Sequence, residues 1–260
     1  MNKKLILRRL GLVAMLAALV AGIAVVLGAE RHNRNMQTCQ GLDVEIRDNL
    51  RFVTAEDVQK RLGSVYGSYV GQKMDSLDLA RIEEIVDAQS AVLRSEAYTT
   101  TDGLLHIMIW QREPVLRFQN GADGFYVDDR GYIFPLQDHY SCDVPIVDGC
   151  IPVSVGKGYK GEAGKPGEAA WITDVLGMME DIKGNRKFKD FFVQYSVNSD
   201  GDLILVPREG DEKFIFGRPE DIEAKLSRVE RYYQYIRPSR GESGAYKTVN
   251  VKYKGHIFCK

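Results

Sequence analysis

The chain has almost no net charge. Its 260 residues carry 35 Lys and Arg against 36 Asp and Glu, a formal −1. A general nucleic-acid binder is excluded, because neutralising phosphates takes a strong positive excess. Cysteine is scarce: there are four, none in a C-x-x-C pair. That excludes a disulfide-dense mini-scaffold and a dithiol redox motif. The histidines His32, His106, His139 and His256 have no His or Cys partner at metal-ligand spacing. No G-x-S-x-G nucleophile elbow occurs. We therefore read no catalytic, cofactor-binding or metal-binding residue. Disorder is excluded as well, since 44% of the residues are hydrophobic and the charge is balanced. The length suits one or two folded domains.

Two literal motif matches fail on their surroundings. Gly156-Lys157-Gly158-Tyr159-Lys160-Gly161 spells G-x-G-x-x-G. A dinucleotide fingerprint needs a helix opening directly from those glycines, and Gly164 and Pro166 interrupt it. A loop is expected there. Asn198-Ser199-Asp200-Gly201-Asp202 looks like the start of a calcium loop. Position twelve is Glu209, which follows the strand-like DLILVP, so a hairpin turn is the better reading.

Long uncharged runs are missing except for one. Leu10 to Ala29 is twenty residues without a charge, which as a helix would span ~30 Å, the thickness of a bilayer core. Lys3, Lys4, Arg8 and Arg9 precede it, while Arg31 and Arg34 behind it are diluted by Glu30. This bias favours a cytoplasmic N-terminus. A cleaved signal peptide fits less well. The apolar stretch exceeds the ~7–15 residues of a signal, and Leu27 offends the small-residue rule at Leu27-Gly28-Ala29. The expectation is a cytoplasmic tail, 1–9, a transmembrane helix, 10–29, and residues 30–260 outside. Without the four leading cations, 31 bases face 36 acids, a net −5 for the outer part.

Behind a polar linker, 30–41, the patterning is regular. Leu42, Val44 and Ile46 alternate with polar residues, as in a half-buried strand. Thr54 is an N-cap candidate, with Glu56 and Asp57 in the first turn and Val58 and Leu62 on one face. A second helix starting near Ser76 places Leu79, Ile82, Ile85 and Val86 inward. AVLRSEAYT and LLHIMIWQREPV are strands joined at Thr101-Asp102-Gly103. Residues 42–115 thus read β-α-α-β-β, with two helices on one face of a sheet.

Residues 116–260 read as mostly antiparallel sheet with two helices. One helix runs from Glu168 to Ile182, with Trp171, Val175, Met178, Met179 and Ile182 on one face. The other starts near Pro219, which suits a first helical position, and spaces Ile222, Leu226, Val229, Tyr233 and Ile236 by 4, 3, 4, 3. Val249, Val251 and Tyr253 alternate in a closing strand. The fold class is α+β. Cys142 and Cys150 enclose seven residues around a short strand and are a candidate disulfide outside the membrane. Cys39 with Cys259 is a second candidate pair, and free thiols are a third reading.

The order of these segments resembles the bacterial cell-division family FtsQ, called DivIB in Gram-positive lineages. FVTAEDVQKRL is similar to the family's opening helix. LLHIMIWQREPVLRF is similar to its third strand running into a Gln-Arg-x-Pro segment, here Gln111, Arg112 and Pro114. FYVDDRGYIFPL, VPIVDG and KFIFGRPEDIEAKLSRV resemble successive parts of its β domain. VNVKYKGHIFCK resembles its last strand, with Lys252, Tyr253 and Gly255 at the basic–aromatic–Gly ending. The tail, 1–9, is shorter than the family's usual one, and the chain ends sooner after the last strand.

The resemblance implies a POTRA domain at 42–115 and an FtsQ-type β domain at 116–260. It implies a non-enzymatic divisome scaffold, single-pass in the cytoplasmic membrane and located at the septum. Such a scaffold recruits and regulates the septal peptidoglycan machinery through FtsB- and FtsL-type partners. No nucleic acid and no small-molecule substrate is expected. Partner contact is expected by strand addition to an exposed last strand, 246–258. Val251, Lys252, Tyr253, Gly255 and His256 are the candidate contacts. Tyr253 reads either as an anchor or as a core position, and Gly255 as a close-approach point. The POTRA domain is a candidate second contact surface. Two other functions compete. A POTRA-containing outer-membrane assembly or secretion component would usually add a barrel or repeated modules. A membrane-tethered hydrolase would need a catalytic cluster.

Overall fold

The computed structural model describes residues 15–25, 37–121, 123–239 and 246–260. Residues 15–25, inside the expected transmembrane segment, are helical and exposed. The rest of that segment, the tail 1–9 and the first part of the linker lie outside the described residues. Among the described residues no helix is long and apolar enough to cross a membrane. The remaining chain forms two units. One ends at Gln111; the other is Arg112–Lys260 together with Leu50–Phe52.

In the first unit, β1 (Gly41–Ile46), α1 (Ala55–Val65), α2 (Leu79–Asp87), β2 (Val92–Thr99) and β3 (Leu104–Gln111) give the expected β-α-α-β-β order. The sheet order is β1-β3-β2, with β1 parallel and β2 antiparallel to β3. Alternation in β3 sends Leu105, Ile107 and Ile109 into the core. There they join Val58, Leu62, Ile82, Ile85 and Val86. The residues just before β1 are built into this unit: Thr38 bridges Lys73, and Cys39 is buried.

Thr54 does cap α1, and the cap is reciprocal. Its hydroxyl accepts from Asp57 N at 3.2 Å, and its own N–H donates to Asp57 Oδ2 at 3.0 Å. Thr54→Ala is expected to cost about 1 kcal/mol in chemical denaturation. The second helix starts later than its pattern suggests. Met74–Ser76 is a separate 3₁₀ turn, Leu77 is extended at ψ 126°, and Asp78 caps α2 by accepting from Arg81 N at 3.0 Å. Leu77 rather than Leu79 is the buried leucine there. Gln111 closes the unit. Its N–H and side-chain amide donate to the two Asp48 oxygens at 2.8 and 2.7 Å, and its Oε1 accepts from Val53 N at 2.8 Å.

The second unit is one nine-stranded sheet. Its strands are β4 (Pro114–Asn120), β5 (Asp123–Asp128), β6 (Ile133–Pro135), β7 (Ile146–Gly149), β8 (Phe192–Val197), β9 (Leu203–Pro207), β10 (Lys213–Gly217), β11 (Thr248–Asn250) and β12 (Phe258–Cys259). They lie in the order β12-β11-β10-β9-β8-β7-β4-β5-β6. Five neighbouring pairs are antiparallel, and three, β4–β7, β7–β8 and β10–β11, are parallel. Parallel neighbours need long crossovers. The helix α3 (Pro166–Gly184) supplies one, between β7 and β8, and α4 (Ile222–Arg231) lies in another, between β10 and β11. Pro114 thus opens this sheet rather than ending the first unit. Arg112 holds the entry: its Nη1 pairs with Asp128 Oδ2 at 2.9 Å, and its guanidinium lies 3.5 Å over the Tyr132 ring. Asp128 Oδ1 accepts from Arg130 N and Tyr132 N, which fixes the β5–β6 turn.

Helix α3 buries Trp171, Val175, Met178, Met179 and Ile182 as the spacing predicts, and opens at Pro166. The Gly-rich segment before it forms a loop held by reciprocal backbone bonds between Ile133 and Gly161. Pro219 is not the first residue of α4. The helix begins at Ile222 after Asp221, whose φ of 50° is left-handed. The expected continuation through Ile236 is also changed. Tyr232–Ile236 is a π-helical turn, and the wider turn makes Tyr232 the fully buried residue instead of Tyr233.

Candidate partner-binding site

The C-terminal segment is not one long strand. β11 covers only Thr248–Asn250 and pairs in parallel with β10. The chain then turns and returns as β12, with Val249 opposite Cys259 and Asn250 opposite Phe258. His256 N donates to Tyr253 O at 3.2 Å across the turn, and Gly255 has a φ of +77°. A residue with a β-carbon is strained there, so the hairpin selects glycine. Alternation of Val249, Val251 and Tyr253 suggested a continuous strand because it does not register where pairing stops. β12 is one of the two edge strands of the sheet, β6 being the other.

The five residues read as partner contacts therefore take different roles. Val251 is fully buried: its N–H donates to Ile215 O at 3.0 Å, and its carbonyl accepts from Arg228 Nε at 2.7 Å. It belongs to the core. Lys252 is half-buried and pairs with Asp202 Oδ2 at 2.6 Å. That carboxylate holds the ammonium above its usual pKa. Tyr253 is 50% exposed, which settles its alternative against the core. Gly255 and His256 are exposed in the turn, and a β-carbon at Gly255 would meet nothing within 4 Å. That side of the turn is open.

Phe258 was missed from the sequence. It is 56% exposed and joins Tyr253 edge-on at a ring distance of 5.8 Å, while the His256 ring stacks on it at 6.0 Å. Tyr253, His256 and Phe258 make an aromatic cluster on the edge hairpin, and aromatic residues are enriched at interfaces. The signal was present as the spacing of three rings over six residues, but it becomes a cluster only when the chain folds back. Arg228 was also missed. On the sequence it looks like one more charge of a solvated helix face, yet it is 7% exposed.

Other sequence candidates separate from this site. Among the described residues no disulfide forms, and the Cys142 and Cys150 thiols are free. Burial is the first cause that raises the Cys142 thiol pKa. A cavity of about 490 Å³ opens beside the first turn of α3, lined among others by Lys165, Glu168, Trp171, Asp174 and Arg218. Glu168 is committed there to Lys165 Nζ at 2.7 Å, which lowers its pKa.

Comparison with known proteins agrees with this architecture. A family model described as "POTRA-like domain" matches residues 37–110. A second, described as "FtsQ/DivIB, C-terminal related", matches residues 113–260. No curated protein matches the chain. The second model spans more than half of the sequence, including the nine-stranded sheet and its edge hairpin, and the chain belongs to the FtsQ/DivIB family.

Proposed function

We propose that this chain is a divisome scaffold of the cytoplasmic membrane, with residues 10–29 as its anchor and 30–260 outside. Its two matched domains support a role in cell division, in a family of non-enzymatic division scaffolds. The finer reading is that β12 accepts a strand from an FtsB-type partner, itself held by an FtsL-type protein, at the septum. The observation that carries it is the place of β12 at the end of the sheet, beside the exposed Tyr253, His256 and Phe258 cluster. An edge strand gives a partner backbone its register, and neighbouring rings give side-chain anchoring.

The test is co-purification of the full-length chain with the FtsB–FtsL pair. Tyr253→Ala with Phe258→Ala is expected to weaken capture about tenfold or more, as loss of aromatic anchors does. The melting curve should stay close to wild type, since both side chains are exposed. Depletion in cells should give unseptated filaments. Undiminished capture by the double variant would remove the aromatic cluster from the interface.

A further inference from the structure

The edge hairpin has a short ladder: Val249 and Asn250 face Cys259 and Phe258, and at its open end Thr248 and Lys260 exchange backbone bonds at 3.0 and 2.9 Å. Toward the turn, contacts from distant segments reach it as well. Asn198 Oδ1 accepts from Asp200 N at 3.0 Å and Asp202 N at 2.9 Å, which folds the β8–β9 turn back on itself. That turn presents Asp202 to Lys252 Nζ at 2.6 Å. To make the pair, the Lys252 side chain passes over the end of β10 at Gly217. A β-carbon at Gly217 would lie 2.8 Å from that of Lys252, and its φ of +78° also favours glycine. From the helical side, Arg228 Nε donates to the Val251 carbonyl, one residue before Lys252.

We propose that Asp202 and Arg228 form a clamp that sets the pose of the β11–β12 hairpin for partner addition, and that Lys252 is a positioning residue rather than a partner contact. This deepens the strand-addition reading and rests on it for its consequence. Its structural half stands on the hairpin alone. The ammonium of Lys252 is engaged internally, and side-chain exposure at the pair is only 28% for Lys252 and 14% for Asp202. A charge-assisted hydrogen bond at this burial holds its partners more firmly than a solvated pair does. The clamp also gives a role to the Asn198–Asp202 turn, whose last acid, Asp202, holds Lys252.

The test uses the full-length chain in mild detergent, with two readouts. One is amide hydrogen exchange across 246–260, and the other is capture of the FtsB–FtsL pair. Lys252→Gln and Asp202→Asn should each speed exchange in 246–260 by about tenfold, while α1 and α3 keep wild-type protection. Each should weaken capture by a similar factor, and the charge swap Asp202→Lys with Lys252→Asp should restore most of both, as a coupled pair requires. Two results would overturn the clamp. One is unchanged exchange in both single variants. The other is weakened capture for Lys252→Gln with normal exchange and normal Asp202→Asn, which would make Lys252 a direct contact. Failure of the wild-type chain to capture the pair would count against the proposed partner, and the exchange result would still decide the clamp.

Discussion

Val251→Asp should unfold the second unit, seen as loss of its cooperative melting transition. Val251 is fully buried, with its backbone bonded on both sides to Ile215 and Arg228. A carboxylate placed there would enter the apolar core that Val251 shares with Leu226, Val229 and Val249. The effective penalty for burying an unpaired ion is several kcal/mol. Total stabilities of about 5–15 kcal/mol leave little margin for that loss. Two residues on, Tyr253→Ala should leave melting nearly unchanged and act on binding instead. A Val251→Asp protein that melts like wild type would mean that the segment continues as an exposed strand.

Arg112→Met should be the second large effect, at about 3–5 kcal/mol, because it strands a buried carboxylate. The Asp128 side chain is 4% exposed, and among the described residues its ion pair is with Arg112 Nη1. The loss includes the stacking of the guanidinium over Tyr132. In a unit of this size the melting temperature should fall by roughly 10 °C. Adding Asp128→Asn should recover about half of that loss. The amide keeps an oxygen for the Arg130 and Tyr132 N–H groups and removes the unpaired charge. A double variant no more stable than Arg112→Met would show that the ion pair is not the source of the effect. This assigns physical roles to two members of the Gln-Arg-x-Pro segment. Gln111 ties β3 to Asp48 and Val53 in the first unit, and Arg112 secures the β5–β6 turn in the second.

The legibility of the chain in its sequence followed the range of the interactions. Within the first unit, periodicity found both helices, all three strands and the turn at 101–103, because each was marked by neighbours a few residues apart. The reciprocal cap at Thr54 and Asp57 is local in the same sense. Errors arose at element ends and where a distant segment decided. Ser76 looked like a helix start until the extended Leu77 separated the 3₁₀ turn from α2. The 4, 3 spacing after Ile222 gave no warning of the π-helical turn that buries Tyr232 against Phe214.

The candidate site divides along the same line. The aromatic and basic character of the last residues, and the glycine among them, stood in the sequence, and the family resemblance with them. The sequence by itself determined the β-α-α-β-β module, the sheet-rich second region and the twenty-residue uncharged run. Alternation holds through Val251, which goes inward like Val249 and still donates its N–H to Ile215 O. Beyond it the chain leaves the β10 ladder, and tertiary structure alone decided where the following residues go. Lys252 goes to Asp202 across Gly217, and Tyr253 is left outside beside Phe258. Arg228 and Ile215 lie 23 and 36 residues before Val251, and Asp202 lies 50 before Lys252, so no local pattern could have announced these contacts.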